Sequence, residues 1–112
     1  LISHSLDELY GGLKPHGVQV AFGMYLVTFL RMKLGMISKN TFEELRAVLR
    51  FLGLPVSLTQ MGLTKEQLIE AIIYAPKSRP DRFTILNKIS LDPKYLDEVL
   101  TELFSTGINI AV

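Results

Sequence analysis

The chain has 112 residues, 48% of them apolar, carries no cysteine and has a net charge of +1. That length holds one domain with a modest core, because a chain of this size buries only about two-thirds of its unfolded surface, and so little net charge leaves no global field to draw in nucleic acid or an anionic membrane. Without cysteine there is no disulfide framework and no thiolate metal cage, so His with Asp or Glu are the available metal ligands and a reducing, cytoplasmic setting is expected.

Leu1, Ile2, Leu6, Leu9 and Tyr10 recur at helical spacing, and Gly11, Gly12 and Pro15 end the pattern. A short first helix is predicted. The pattern is already running at Leu1, with no initiator Met, signal peptide or N-cap before it, which reads as a piece cut from a longer polypeptide. A second helix is predicted from about His16 to Leu34, stopping at Gly35. Within it Val18 to Leu30 is interrupted only by Gln19 and Thr28, yet falls short of the roughly 20 residues that span a bilayer. It reads as a core helix with neighbours on most sides, and no membrane span is expected.

The third helix has two overlapping capping boxes, Asn40 with Glu43 or Thr41 with Glu44, ahead of an apolar stripe of Phe42, Leu45, Val48, Leu49 and Leu52, and Gly53 closes it. Leu54 to Val56 reads as extended, and Ser57 to Met61 as one helical turn ending at Gly62. Thr64 with Gln67 caps a fourth helix bearing Leu68, Ile69, Ala71, Ile72 and Ile73, which Pro76 and Pro80 stop. Asp92 before Pro93 starts a fifth helix, with Tyr95, Leu96, Val99, Leu100, Leu103 and Phe104 at helical intervals up to Gly107. Arg82 to Leu86 and Ile108 to Val112 are candidate short extended pieces. With no sustained period-two alternation, the fold class is all-α, a bundle of about five helices. A mean hydropathy of +0.29 is rich for so small a domain, so some apolar surface is expected to face another domain or another copy in a homo-oligomer.

His4 and His16 are the only histidines, on either side of the Gly/Pro break. Their rings converge if the second helix folds back on the first, and His16 then sits at the mouth of a rigid, dry helix. Two imidazoles do not complete a metal site, which needs a third protein ligand, often a carboxylate. The plainer reading makes both ordinary polar residues at helix ends. Lys77, Arg79 and Arg82 form a cationic cluster suited to a phosphate, or else a solvated basic loop. Met24, Met32, Met36 and Met61 read as packing, Phe22, Tyr25 and Phe29 as core, and Asp7 and Glu8 as facing solvent or a domain boundary. The alternative outside enzymes is a free-standing helical interaction module, for example a helix-turn-helix DNA binder from Ser57 to Ile73. Its recognition helix would carry Glu66 and Glu70 against Lys65, which offers little to phosphates.

His4-Ser-Leu-Asp7, followed by His16-Gly-x-x-Val-Ala-x-Gly-Met24, resembles the metal-binding region of the iron-containing alcohol dehydrogenase and dehydroquinate synthase superfamily. Gly53-Leu-Pro-Val-Ser-Leu58 with Met61-Gly-Leu63 is similar to glycerol dehydrogenases, and Arg79-Pro-Asp-Arg-Phe-Thr-Ile-Leu86 resembles a segment of glycerol-1-phosphate dehydrogenases. The resemblance implies that residues 1–112 are a C-terminal helical domain, truncated at its start, whose upstream nucleotide-binding domain holds NAD or NADP and is its partner. It implies His16 as ligand to a divalent metal, zinc or iron, and His4 as a proton relay or substrate contact. A further histidine ligand would fall immediately ahead of Leu1. The resemblance places Lys77 near the phosphate of the substrate, glycerol 1-phosphate or a similar polyol, so that one or more of Lys77, Arg79 and Arg82 would contact it, and the fragment alone would not turn over. A dehydroquinate synthase is the enzyme alternative, against which the Arg-Pro-Asp-Arg run argues. Val18 stands where many members have Glu, a departure that removes a carboxylate able to orient the metal-bound ring.

Overall fold

A computed structural model describes residues 2–11, 14–78 and 92–111. Among the described residues six helices follow one another: α1 (Ile2–Tyr10), α2 (His16–Lys33), α3 (Lys39–Phe51), α4 (Leu58–Met61), α5 (Lys65–Ser78) and α6 (Pro93–Ala111). No strand occurs among the described residues. The all-α expectation holds, with the single turn predicted after Ser57 forming the sixth helix, α4. No helix among the described residues is long and apolar enough to cross a membrane.

The core forms around α2, whose Phe22, Tyr25, Leu26, Phe29 and Leu30 are buried. α1 and α3 pack on it. α6 reaches it through Phe104, whose ring stacks on Phe22 at 6.2 Å, and through Glu102, 2.8 Å from Lys33. On the remaining side Val20 and Met24 stay exposed, so the expected enclosure is incomplete. α5 packs between α1 and α6, burying Leu68, Ala71, Ile72 and Ala75.

Helix ends follow local chemistry. Thr64 and Gln67 form the reciprocal box predicted for α5, since the Thr64 hydroxyl accepts the Gln67 N–H at 3.1 Å and the Gln67 side chain accepts the Thr64 N–H at 3.0 Å. At α3 the prediction needs correction. Ser38, in extended backbone, accepts the Thr41 N–H at 3.1 Å, so the helix starts at Lys39 and leaves Asn40 and Thr41 inside its first turn, where neither caps it. Gly53 adopts φ +73°, which lets the Leu54 N–H reach the Leu49 carbonyl at 2.9 Å and the Gly53 N–H the Arg50 carbonyl at 3.1 Å. That pair of bonds satisfies the last carbonyls of α3.

Two further corrections concern length. Pro76 lies inside α5 and does not stop it. It forfeits only the bond to the Ile72 carbonyl, and so near the helix end the chain tolerates that loss. α6 continues through Gly107 to Ala111, so the extended piece expected from Ile108 is helical as far as it is described. One glycine costs about 1 kcal/mol in a helix and does not end it alone. The piece predicted from Arg82 to Leu86 and the Pro80 stop lie outside the described residues.

The stripe predicted for α3 is also only partly right. Phe42 and Leu49 are buried, but Val48 is 53% and Leu52 61% exposed, and Phe51 is 90% exposed. Arg46 takes the inward position between Phe42 and Leu49, with 2% exposure. Its Nε donates to the Tyr25 hydroxyl at 3.1 Å, its Nη1 pairs with Glu43 at 3.1 Å, and its guanidinium lies 4.8 Å over the Phe42 ring. A charge so fully partnered can be buried. Met24 and Met36 are likewise about half exposed, at 53% and 50%, so of the predicted packing methionines only Met61 is fully buried.

Candidate functional site

α1 is amphipathic, with Ile2 and Leu6 buried. It is fixed to α5 by the buried Ser5 hydroxyl, which donates to the Ala71 carbonyl at 2.7 Å, and by the Tyr10 hydroxyl, shared between the Gln67 carbonyl at 3.1 Å and Glu70 Oε2 at 2.9 Å. Burial first, and then Glu70, pushes the Tyr10 phenol up to about 12. His4, Asp7 and Glu8 share one side of α1, since residues three and four apart are helical neighbours.

Each imidazole meets a carboxylate of this helix. His4 Nε2 lies 2.6 Å from Glu8 Oε1, and the other oxygen of Glu8 accepts the Tyr74 hydroxyl of α5 at 2.5 Å. That hydrogen bond is the leading cause that raises the Tyr74 phenol above its ordinary value. His16, the first residue of α2, has Nδ1 3.8 Å from Asp7 Oδ2. Asp7 Oδ1 in turn accepts the side-chain amide of Gln19 at 2.8 Å, and Gln19 is fully buried. Gln19 Oε1 also accepts the Lys14 N–H at 3.2 Å, so the loop before α2, the helix itself and Asp7 are tied at one point. Pro15 precedes the helix with no side-chain cap.

Each ring has its own carboxylate, His4 Glu8 and His16 Asp7, on adjacent positions of α1. Asp7 and Glu8 are exposed as expected, and in addition each carries a contact to a histidine. Their spacing from His4 carries the only trace of this in the sequence; Gln19 and Tyr74 left none. The scaffold is not dry at this point: the His16 side chain is 75% exposed. Val18 is half-buried, and the carboxylate beside His16 comes instead from Asp7, across the turn.

At 3.8 Å the Asp7 carboxylate lies near the His16 ring without a direct hydrogen bond to it. Among the described residues no group of three or more His, Cys, Asp or Glu that could hold a metal ion occurs, so His16 and Asp7 do not by themselves make a metal site. Lys77 is exposed near the end of α5, beside an open groove of about 470 Å³ lined by Leu9, Ile69, Ile73 and Tyr74, with Glu66 and Glu70. Arg79 and Arg82 lie outside the described residues.

The family model for the C-terminal region of 3-dehydroquinate synthase matches residues 1–78. Glycerol-1-phosphate dehydrogenase [NAD(P)+] of Archaeoglobus fulgidus is 38% identical over 87 residues, which are 78% of this chain and 24% of that protein. The protein of the same name from Caldivirga maquilingensis is 33% identical over 112 residues, 96% of this chain and 29% of that one. In Pyrococcus abyssi the identity is 34% over 91 residues, 81% of this chain and 24% of the relative. The chain therefore spans about a quarter of the length of the relatives it matches. No solved structure matches it.

Proposed function

We propose, for a chain that belongs to the 3-dehydroquinate synthase C-terminal family and is similar to glycerol-1-phosphate dehydrogenases, that it is the metal- and substrate-contacting helical region of an NAD(P)-linked polyol-phosphate dehydrogenase. The observation that carries this reading is the pairing of His4 with Glu8 and of His16 with Asp7, in a segment that also matches dehydrogenases named for glycerol 1-phosphate. The nucleotide is held by a domain elsewhere in the full-length protein, a reading supported by relatives named as NAD(P)+ dehydrogenases of which this chain covers about a quarter. A cytoplasmic location and assembly into a homo-oligomer accord with this reading.

His16 Nε2 is one ligand of a divalent ion, zinc or iron, completed by groups elsewhere in the full-length protein. When bound, the ion polarises the carbinol oxygen of the substrate. Asp7, pinned by Gln19, lies beside the His16 ring. His4 contacts the substrate or moves its hydroxyl proton. Lys77, with Arg79 and Arg82, meets the phosphate as a set of point and forked cations.

The full-length protein tests this directly. It is expected to oxidise glycerol 1-phosphate with NAD or NADP and to contain a divalent metal by elemental analysis. His16→Ala is expected to lose both. Lys77→Ala is expected to raise KM for glycerol 1-phosphate but not for glycerol. Turnover of a dehydroquinate precursor in place of glycerol 1-phosphate, or metal content unchanged by His16→Ala, overturns the proposal.

A further inference from the structure

Glu8 touches His4 with one oxygen and Tyr74 with the other. At 2.6 Å a ring nitrogen and a carboxylate oxygen attract only if a proton lies between them, because two lone pairs at that distance repel. An ionised carboxylate has no proton to give, so the hydrogen lies on His4 Nε2, and whenever the ring is neutral its free lone pair is on Nδ1. Tyr74 comes from 66 residues further along the chain and binds the second oxygen at 2.5 Å. Its phenol, kept protonated by that same bond, donates to Glu8 Oε2 while His4 meets Oε1. α1 and α5 are fixed to one another nearby by Ser5 and Ala71, which limits the freedom of Glu8 to turn away.

We propose that Glu8 and Tyr74 are positioning residues that fix the tautomer and orientation of His4, making Nδ1 the atom that receives the substrate hydroxyl proton. The inference deepens the dehydrogenase reading and rests on its assignment of His4 to proton transfer. In the step, the substrate O–H bond breaks and an Nδ1–H bond forms. The electron pair left on oxygen becomes the second bond of the carbonyl as hydride leaves carbon for a nicotinamide acceptor. His4 is then an imidazolium whose Nε2–H remains on ionised Glu8, so its new charge is balanced where it appears. In the reverse direction the proton returns from Nδ1 to the forming alcohol.

The test uses the full-length protein with glycerol 1-phosphate and three variants. Glu8 is exposed and Ala is a strong helix former, so Glu8→Ala keeps the helix. It is expected to lower kcat on the order of 10²-fold or more, as loss of an oriented general base does, with little change in KM. Tyr74→Phe removes only a hydroxyl and is expected to lower kcat by about 2- to 10-fold, the range that one hydrogen bond supports. In ¹⁵N spectra of histidine-labelled protein, the His4 signals, assigned by loss in His4→Ala, are expected to report protonated Nε2 and to move toward a tautomer mixture in Glu8→Ala. Wild-type kcat and an unchanged tautomer in Glu8→Ala, with His4→Ala strongly impaired, overturn the inference and leave the dehydrogenase reading in place. Wild-type kcat in His4→Ala overturns the role of His4 itself, and the inference falls with it.

Discussion

Arg46 and Tyr25 make a pair whose separate loss costs more than their joint loss. Tyr25 is fully buried and the Arg46 side chain is 2% exposed, so neither finds water when its partner is removed. Tyr25→Phe takes away the acceptor 3.1 Å from Arg46 Nε and strands part of a buried cation, a cost of about 2 kcal/mol. Arg46→Met keeps most of the stem but strands the Tyr25 hydroxyl, again about 2 kcal/mol, and forfeits the contact over Phe42, about 1 kcal/mol. In the double variant no orphan of this bond remains and two apolar side chains face each other. It is therefore expected to be more stable than the sum of the single effects by about 2 kcal/mol, a coupling usual for groups in direct contact. Urea unfolding of the wild type, both single variants and the double variant, followed by circular dichroism with the denaturant slope checked for constancy, measures that coupling. Additive effects, to within about 0.5 kcal/mol, would refute the reasoning that each group exists to satisfy the other.

Alkaline stability follows from the tyrosines. The phenols of Tyr10, Tyr25 and Tyr74 are all raised above the ordinary value of 10.0, so the folded state keeps protons that the unfolded chain gives up. The stability they contribute is fully present below pH 10 and is lost as the pH rises, for Tyr10 through about 12. Tyr10→Phe is expected to flatten that decline in a series of unfolding curves from neutral to alkaline pH; a decline equally steep in the variant would count against it. Gly53→Ala is expected to cost about 1 kcal/mol from the left-handed backbone alone, since an added Cβ meets nothing within 4 Å, and calorimetry of Gly53→Asn should show a smaller loss. Gln19→Leu, which frees Asp7, is expected to weaken metal binding by the full-length protein about 10-fold or more, measured by competition with a chelator; unchanged affinity would mean that Asp7 needs no tether.

What the sequence revealed and what it hid divide along a physical line. Capping at Thr64 and Gln67, the glycine stop at Gly53 and the proline start at Pro93 are interactions between residues a few positions apart, and they were legible. The start of α3 was missed because Ser38 competes with Asn40 and Thr41 for the same office, and local pattern does not rank them. Arg46 was invisible because its burial depends on Tyr25, which sits on a different helix. Similarly, His4 and His16 stood out as residue types, and Asp7 and Glu8 were at helical spacing from His4, but nothing local announces that Gln19 clamps one carboxylate and Tyr74 the other. Exposure of Val48, Phe51 and Leu52 was foreseen only as a surplus of apolar residues, without an address.

Bonds joining Ser5 to Ala71, Tyr10 to Gln67 and Glu8 to Tyr74 span 66, 57 and 66 positions. Such long closures are entropically expensive and form late. A nascent chain leaving the ribosome therefore releases His4 long before Tyr74 emerges to brace it. The corner that holds His4 and Glu8 is finished only when the later half has arrived, and an incomplete polypeptide carries its histidines without the packing that orders them.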